Sequence, residues 1–221
     1  AEPVRFLLNT EPHTDHTTGH FVFSPPAIII AAAGAGESMR QAYSPERMKK
    51  MMDDSGELGT ASKGYRPIAP HVEYRDKMTL NSGGRTFELY YLKNVHSEAD
   101  SAIWLPKEKV LFTAASVGVK RFNNLRPFVS IPDTLAAIKM MQALKPEIVI
   151  PGHGDPGSVE ILDNMERYYT LLLERVRQMT RQGKSLDEIK KELKMPEYGD
   201  WEGKDRFPSN IEAAYRAVKG I

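Results

Sequence analysis

The protein is 221 residues long, with 30 Lys and Arg against 29 Asp and Glu, a formal charge of +1 at pH 7. That balance gives no electrostatic case for a nucleic-acid or membrane partner, and 41% hydrophobic residues are enough for a sizeable core and argue against global disorder. With no Cys, disulfides, thiolate metal sites and a Cys nucleophile are excluded, while the redox compartment stays open.

In sequence order, Val4-Arg5-Phe6-Leu7-Leu8-Asn9-Thr10 predicts a short, largely buried strand. It feeds into Glu11-Pro12-His13-Thr14-Asp15-His16, where Pro12 biases Glu11 away from helix and makes the segment a loop at a strand end. Ala27–Ala31 is a second buried strand, Ser44-Pro45-Glu46 a helix start, and residues 53–64 a loop. A β-rich stretch follows: Val72-Glu73-Tyr74, Met78-Thr79-Leu80, a hairpin connection at Asn81-Ser82-Gly83-Gly84, then Thr86–Leu92, Ala102–Leu105 and Val110–Phe112. Pro132 to Leu144 reads as a helix with Leu135, Ile138, Met141 and Leu144 on one face, and Glu147–Ile150 as a strand ending at Pro151-Gly152-His153-Gly154. Beyond it, Leu162, Met165, Tyr169, Leu172, Val176 and Met179 mark a long amphipathic helix that stops at Gly183. Ser185–Glu188 and Ser209–Glu212 carry capping-box patterns for two more helices. The order of elements predicts a layered α/β protein with a helical C-terminal extension.

No apolar run reaches the ~18 residues of a transmembrane helix. Ala1-Glu2-Pro3-Val4 lacks the basic start and apolar stretch of a signal peptide. A soluble protein is expected, its compartment open between cytoplasmic and, after removal of a leader, periplasmic or secreted.

Six His occupy positions 13, 16, 20, 71, 96 and 153. His13-Thr14-Asp15-His16 packs two imidazoles and a carboxylate into four residues, the donor types of a borderline cation such as zinc. Taken alone, the pattern fits a polar surface loop equally well. His96 and His153 stand where strands end; either alone fits a structural histidine.

The order of the pieces resembles the metallo-β-lactamase superfamily. Its signature is H-x-H-x-D-H after a strand, then an H-[ST]-x-x-D motif midway along the sequence, an Asp in L-F-x-G-D and a late P-G-H-G. The counterparts here are Glu11–His16, His96-Ser97-Glu98-Ala99-Asp100, Leu111-Phe112-Thr113-Ala114-Ala115 and Pro151-Gly152-His153-Gly154, covering roughly residues 3–157. The helical tail also resembles those of small-molecule hydrolases in the superfamily. The resemblance implies an αββα sandwich over residues 1–157 with a helical extension, 158–221, packed on the same domain. It implies one or two divalent metal ions, zinc by default and manganese or iron as alternatives. One site would use Glu11, His13 and His96, the other Asp15, His16 and His153, with Asp15 orienting a metal-activated water. The implied activity is hydrolysis of a small-molecule lactam, lactone, ester or thioester. An iron-dependent oxidoreductase of the same fold and a non-catalytic binding protein are the alternatives.

Three departures stand out. Glu11 occupies the place of the first motif His, Ala115 that of the bridging Asp, and only ten residues precede Glu11 where the family has several strands and a helix. The first two leave the number of carboxylates unchanged, so Glu11 is expected to take over charge neutralisation, and bridging, from the lost Asp. The third implies that an N-terminal fragment, a second polypeptide or a swapped segment completes the sheet. His20 and Trp201 are candidates for the surroundings of the metals or the substrate pocket. Tyr65, Phe122 and Phe128 are loop aromatics that fit pocket or packing, and Tyr168 and Tyr169 are further candidates for the pocket mouth. His71 reads as a surface residue, Trp104 as core, and Met48, Met51 and Met52 as core or lid packing.

Overall fold

The structure, a computed structural model, describes residues 3–42, 46, 49, 50, 53 and 66–221. The expected helix start at Ser44-Pro45, the loop over 54–64, Met48, Met51, Met52 and Tyr65 lie outside the described residues.

Two sheets form. Strands β1 (Phe6–Leu8), β2 (Ile28–Ala32) and β3 (Val72–Tyr74) make a parallel sheet in that order, with Leu7 opposite Ile29 and Ala31 opposite Glu73. Strands β4 (Lys77–Ser82), β5 (Arg85–Leu92), β6 (Asp100–Leu105), β7 (Val110–Phe112) and β8 (Ile148–Ile150) make the second, antiparallel except for the parallel pair β7–β8. The β4–β5 hairpin turns at Gly83 and Gly84, both at positive φ (58° and 73°), which a two-residue turn of this hand requires.

β6 is buried along all six residues, and its alternation shows why. Ile103 and Leu105 face the three-stranded sheet and pack with Ile30, Ala32, Ala35 and Tyr74. Ala102 and Trp104 face the other way, into a layer of helices. A strand covered on both faces must be apolar at successive positions. Among the described residues, the helical layer holds α4 (Ile131–Ala143), α5 (Glu160–Arg181), α6 (Leu186–Glu192) and α7 (Phe207–Lys219), and α1 (Thr14–Thr17), α2 (His20–Phe23) and α3 (Ala35–Ala42) precede them. Leu162, Met165, Tyr168, Tyr169, Leu172 and Val176 give α5 one continuous buried face. That face shares a single apolar core with Ile138 and Met141 of α4 and with Ile211 and Ala214 of α7. The C-terminal helices therefore extend the core of the β-sandwich and have no separate one.

Local expectations are revised in three places. The first strand is only Phe6–Leu8 and is half-buried, not largely buried. The Glu11–His16 segment is not all loop, because residues 14–17 wind one helical turn in which the Thr17 and Thr18 side chains bond back to the His13 and Thr14 carbonyls. The last helix starts at Phe207, two residues before the capping pattern at Ser209. Pro208 sits in its first turn, and the Ser209 hydroxyl donates to the Arg206 carbonyl at 2.7 Å. A 3₁₀ turn at Lys204–Arg206, entered through Gly203 at φ 70°, runs straight into the helix and removes the need for that cap. The Ser185–Glu188 capping box forms in full.

Phe122, Tyr168, Tyr198 and Trp201 stack with ring centroids 4.6–5.5 Å apart. This aromatic cluster ties the loop after β7 to the C-terminal helices. Trp201→Ala should lower folding stability by about 3–5 kcal/mol in urea denaturation, the cost of emptying a large core site. Ile221→Ala, at an exposed terminus, should change it by less than about 0.5 kcal/mol.

Candidate metal centre

Four segments converge at one edge of the sandwich. Glu11 follows β1, and the turn of α1 carries Asp15 and His16, with His13 as its N-cap. His96 precedes β6, and Asp100 fixes its loop. One Asp100 oxygen accepts the His96 and Ser97 N–H groups, both at 2.7 Å, while the other accepts the Ser97 hydroxyl. His153 follows β8. Gly152 allows this, because a Cβ there would lie 2.4 Å from the Ala115 nitrogen and 2.5 Å from the Ala114 carbonyl carbon. Its own N–H donates to the Ala114 carbonyl at 2.8 Å, locking the His153 loop against the turn after β7. In that turn Ala114 takes φ 54°, a left-handed conformation that costs a residue with a Cβ roughly 1–2 kcal/mol.

The donors form two trios. Ligand-capable atoms of Glu11, His13 and His96 lie within 4.8 Å of one another, and so do those of Asp15, His16 and His153. Glu11 is fully buried and reaches both. One oxygen bonds His13 Nδ1 and lies 3.4 Å from His96 Nε2. The other accepts the Ala115 N–H at 2.8 Å and lies 3.1 Å from His16 Nε2 of the second trio. Asp15 Oδ2 stands 3.5 Å from both His16 Nε2 and His153 Nε2. Thus the Glu11 carboxylate, arriving from β1, rests on the backbone of Ala115.

This arrangement fits divalent cations. His16 Nε2 is buried and has no hydrogen-bond partner, and a buried carboxylate ringed by three imidazoles needs positive charge beside it. Burial alone would raise the Glu11 pKa, but the His13 hydrogen bond and the fields of His96, His16 and His13 overcome it and bring the value to about 2. Burial, helped by His13, Arg126 and His16 and opposed by Glu11, lowers His96 to about 4. Burial likewise lowers His153, with Arg121 and His16 adding to the effect. Neutral imidazole and ionised carboxylate are the ligating forms.

The centre opens into a cavity of about 260 Å³ lined by His13, Asp15, His96 and His153 together with Arg121, Arg126 and Arg206. Sequence reasoning did not single out these arginines. Arg121 and Arg126 sit in the loop after β7 and Arg206 just before α7, and no spacing connects them. Other candidates lie elsewhere. His20 is buried with Nδ1 donating to the Ile68 carbonyl at 3.1 Å. His71 is exposed, its Nδ1 accepting the Ile29 N–H at 3.0 Å. Trp201, Phe122, Tyr168 and Tyr169 pack in the core away from the His cavity, and Trp104 is also core.

The sequence model of the metallo-beta-lactamase superfamily matches residues 1–153. The chain belongs to the metallo-beta-lactamase superfamily. A metallo-beta-lactamase type 2 from Bacteroides fragilis is 26% identical over 113 residues, 49% of this chain and 45% of that protein. The chain thus spans about half the length of the curated relative it matches. Among solved structures, the stereoselective inverting sec-alkylsulfatase Pisa1 from Pseudomonas sp. superposes with a TM-score of 0.69 at 17% identity, covering 98% of this chain and 41% of that one. A metallo-beta-lactamase family protein from Thermus thermophilus gives 0.65 at 16%, covering 98% and 75%. At these identities the structural likeness shows the fold. Membership of the superfamily supports metal-dependent hydrolase chemistry in general. No helix among the described residues is long and apolar enough to cross a membrane.

Three outcomes are expected at the centre. Ala114→Gly should raise stability by roughly 0.5–1 kcal/mol, because relief of the left-handed Cβ exceeds the entropy glycine adds to the unfolded chain; urea denaturation measures it. In metal-stripped protein, His96 is neutral down to about 4 when folded but protonates at 6.5 when unfolded. At His96 the unfolded state therefore binds more protons between those values, and its contribution to stability should fall by about 3 kcal/mol on acidification, while Asp100, which burial raises to about 7, contributes in the opposite direction. Glu11, ionised to about 2 against 4.5 unfolded, loses stabilisation in the same direction below pH 4.5. Denaturation of wild type against His96→Ala at pH 7.5 and 4.5 isolates the His96 contribution and checks its sign. Third, Glu11→His and Ala115→Asp should be coupled in metal affinity by roughly 0.5–3 kcal/mol, as for residues in contact; additive effects in metal titrations would separate the two positions.

Proposed function

We propose that this chain is a metal-dependent hydrolase of small molecules, its substrate a lactam, lactone, ester or thioester. The observation that carries this reading is the pair of donor trios meeting across the buried Glu11 carboxylate at the floor of an open cavity. Glu11, His13 and His96 would hold one divalent cation and Asp15, His16 and His153 a second. Zinc suits the imidazoles, while the carboxylate in place of one imidazole shifts preference toward manganese or iron. When bound, the ions supply a Lewis acid and make a water acidic enough to serve as nucleophile near neutral pH.

The protein's own residues do the rest. Asp15 is the more exposed carboxylate, with 58% of its side chain accessible. It faces the cavity between His16 and His153, where it can accept a proton from the attacking water and orient it. Glu11, closed off from solvent, stays ionised and holds charge in the centre without competing for that proton. Asp100 keeps His96 in place through the two N–H bonds to its carboxylate.

His13→Ala, His96→Ala and His153→Ala should each abolish hydrolysis of a panel of chromogenic esters, thioesters, lactones and lactams and lower bound metal in elemental analysis. Asp15→Asn should reduce rate more than metal retention, because an amide oxygen coordinates weakly but accepts protons poorly. Equal rate loss in His71→Ala would count against the assignments. Oxygen consumption by iron-loaded protein without hydrolysis would favour the oxidoreductase alternative.

A further inference from the structure

We propose that the cavity beside the metal centre is an oxyanion-docking site, so that the molecule hydrolysed carries a carboxylate, sulfate or phosphate group that binds Arg121, Arg126 and Arg206 while its scissile bond lies over the histidines. The cleavage part of this statement rests on the hydrolase reading; the docking part does not.

The three guanidinium groups line one cavity of about 260 Å³ and are half-buried. Among the described residues none of the three has a carboxylate within ion-pairing distance, whereas Arg40, Arg85, Arg175 and Arg216 each have one. Two are oriented by single bonds to carbonyls. Arg126 Nη1 donates to His96 at 3.1 Å and Arg206 Nη1 to Phe122 at 3.4 Å. A guanidinium has five donors in a planar fork, so most remain available toward the cavity. The carboxylates of the centre, Glu11 and Asp15, belong to the donor trios and would be matched by the cations those trios hold, which leaves the three guanidinium groups to an oxyanion with fork-like acceptors.

The wall is held rigidly, as a docking site requires. Residues 120–122 pair with Glu202: Phe122 N–H donates to its carbonyl and its N–H donates to the Lys120 carbonyl, both at 2.9 Å. Asn123 Nδ2 donates to the Ser116 carbonyl at 2.9 Å, and Asn210 Nδ2 donates to the Asn123 carbonyl at 2.8 Å. The Tyr168 hydroxyl donates to Asn210 Oδ1 at 2.9 Å. All three side chains are buried. The C-terminal helices therefore both brace the loop bearing Arg121 and Arg126 and contribute Arg206.

The test uses the metal-loaded full-length protein with metal content matched between variants. Calorimetric titration with inorganic sulfate and with acetate should show saturable binding of at least one anion. The tighter of the two identifies the docked group as tetrahedral or planar. Arg121→Gln and Arg206→Gln should each weaken it about tenfold or more, the scale of a lost charge-assisted hydrogen bond, while Arg177→Gln on the exposed face of α5 should leave it unchanged. Arg121→Lys and Arg206→Lys, which retain charge and fold but lose the fork, should fall between. In parallel, kcat/KM for mono-4-nitrophenyl succinate should exceed that for 4-nitrophenyl acetate in wild type, and the ratio should drop about tenfold in Arg206→Gln. No anion binding by wild type, or binding unaffected in the Arg121→Gln/Arg206→Gln double variant, overturns the docking site. Hydrolysis of both esters in an unchanged ratio overturns it while leaving the hydrolase reading standing. Arginine-dependent anion binding with no ester, thioester, lactone or lactam of the panel cleaved overturns the hydrolase reading and supports the docking site.

Discussion

A carboxylate with no solvent exposure organises the functional edge of this protein. Glu11 is removed from water, and a buried charge is tolerated only where its surroundings replace hydration. Here the surroundings come from three places: an amide from the turn after β7, His13 and His16 from the turn of α1, and His96 from the loop before β6. These contacts bring the ends of β1, β6 and β7 to one point. In the superfamily pattern the bridging carboxylate belongs to the segment after β7. In this protein that segment offers only a backbone N–H at Ala115, and the carboxylate arrives from the opposite side. Gly152 lets the His153 loop pack directly on the Ala114–Ala115 backbone, with no room for a Cβ between them.

The second layer of organisation comes from the C-terminal helices. An amphipathic tail could in principle be a mere cover for the five-stranded sheet, and its apolar stripe does serve that purpose. Yet its polar interior, Tyr168 and Asn210, points to the loop on the far side of the cavity. Buried polar groups paired in this way fix geometry, because any shift leaves one of them unsatisfied. The cavity wall is thus as well determined as the histidine floor.

Much of this was legible in the sequence, for identifiable reasons. The long helix over Leu162–Met179 follows from its periodicity and the strand at Ala102–Leu105 from its unbroken apolar run, both of which burial imposes directly. The histidines at strand ends were legible because spacing and motif order survive where side-chain identity at two positions does not. The motif pattern linked Glu11 to the position of Ala115, but the contact itself, an Ala115 N–H donated to the Glu11 carboxylate across 104 residues, is visible only in the fold. The arginines were hidden for the same reason. Arg206 lies far beyond Arg126 along the sequence, and each resembles any surface base there. The capping pattern at Ser209 misled because capping rules describe a helix entered from coil, whereas this one continues a 3₁₀ turn.

The aromatic cluster has one more consequence. Trp201 is one of two tryptophans in the sequence, and it stacks on Phe122, whose carbonyl receives the Arg206 guanidinium. The other, Trp104, is buried within β6. Emission from Trp201 is therefore a native optical gauge of the cavity wall. A molecule that draws Arg206 inward must alter the polarity that this indole senses, so occupancy can be followed in the unlabelled protein.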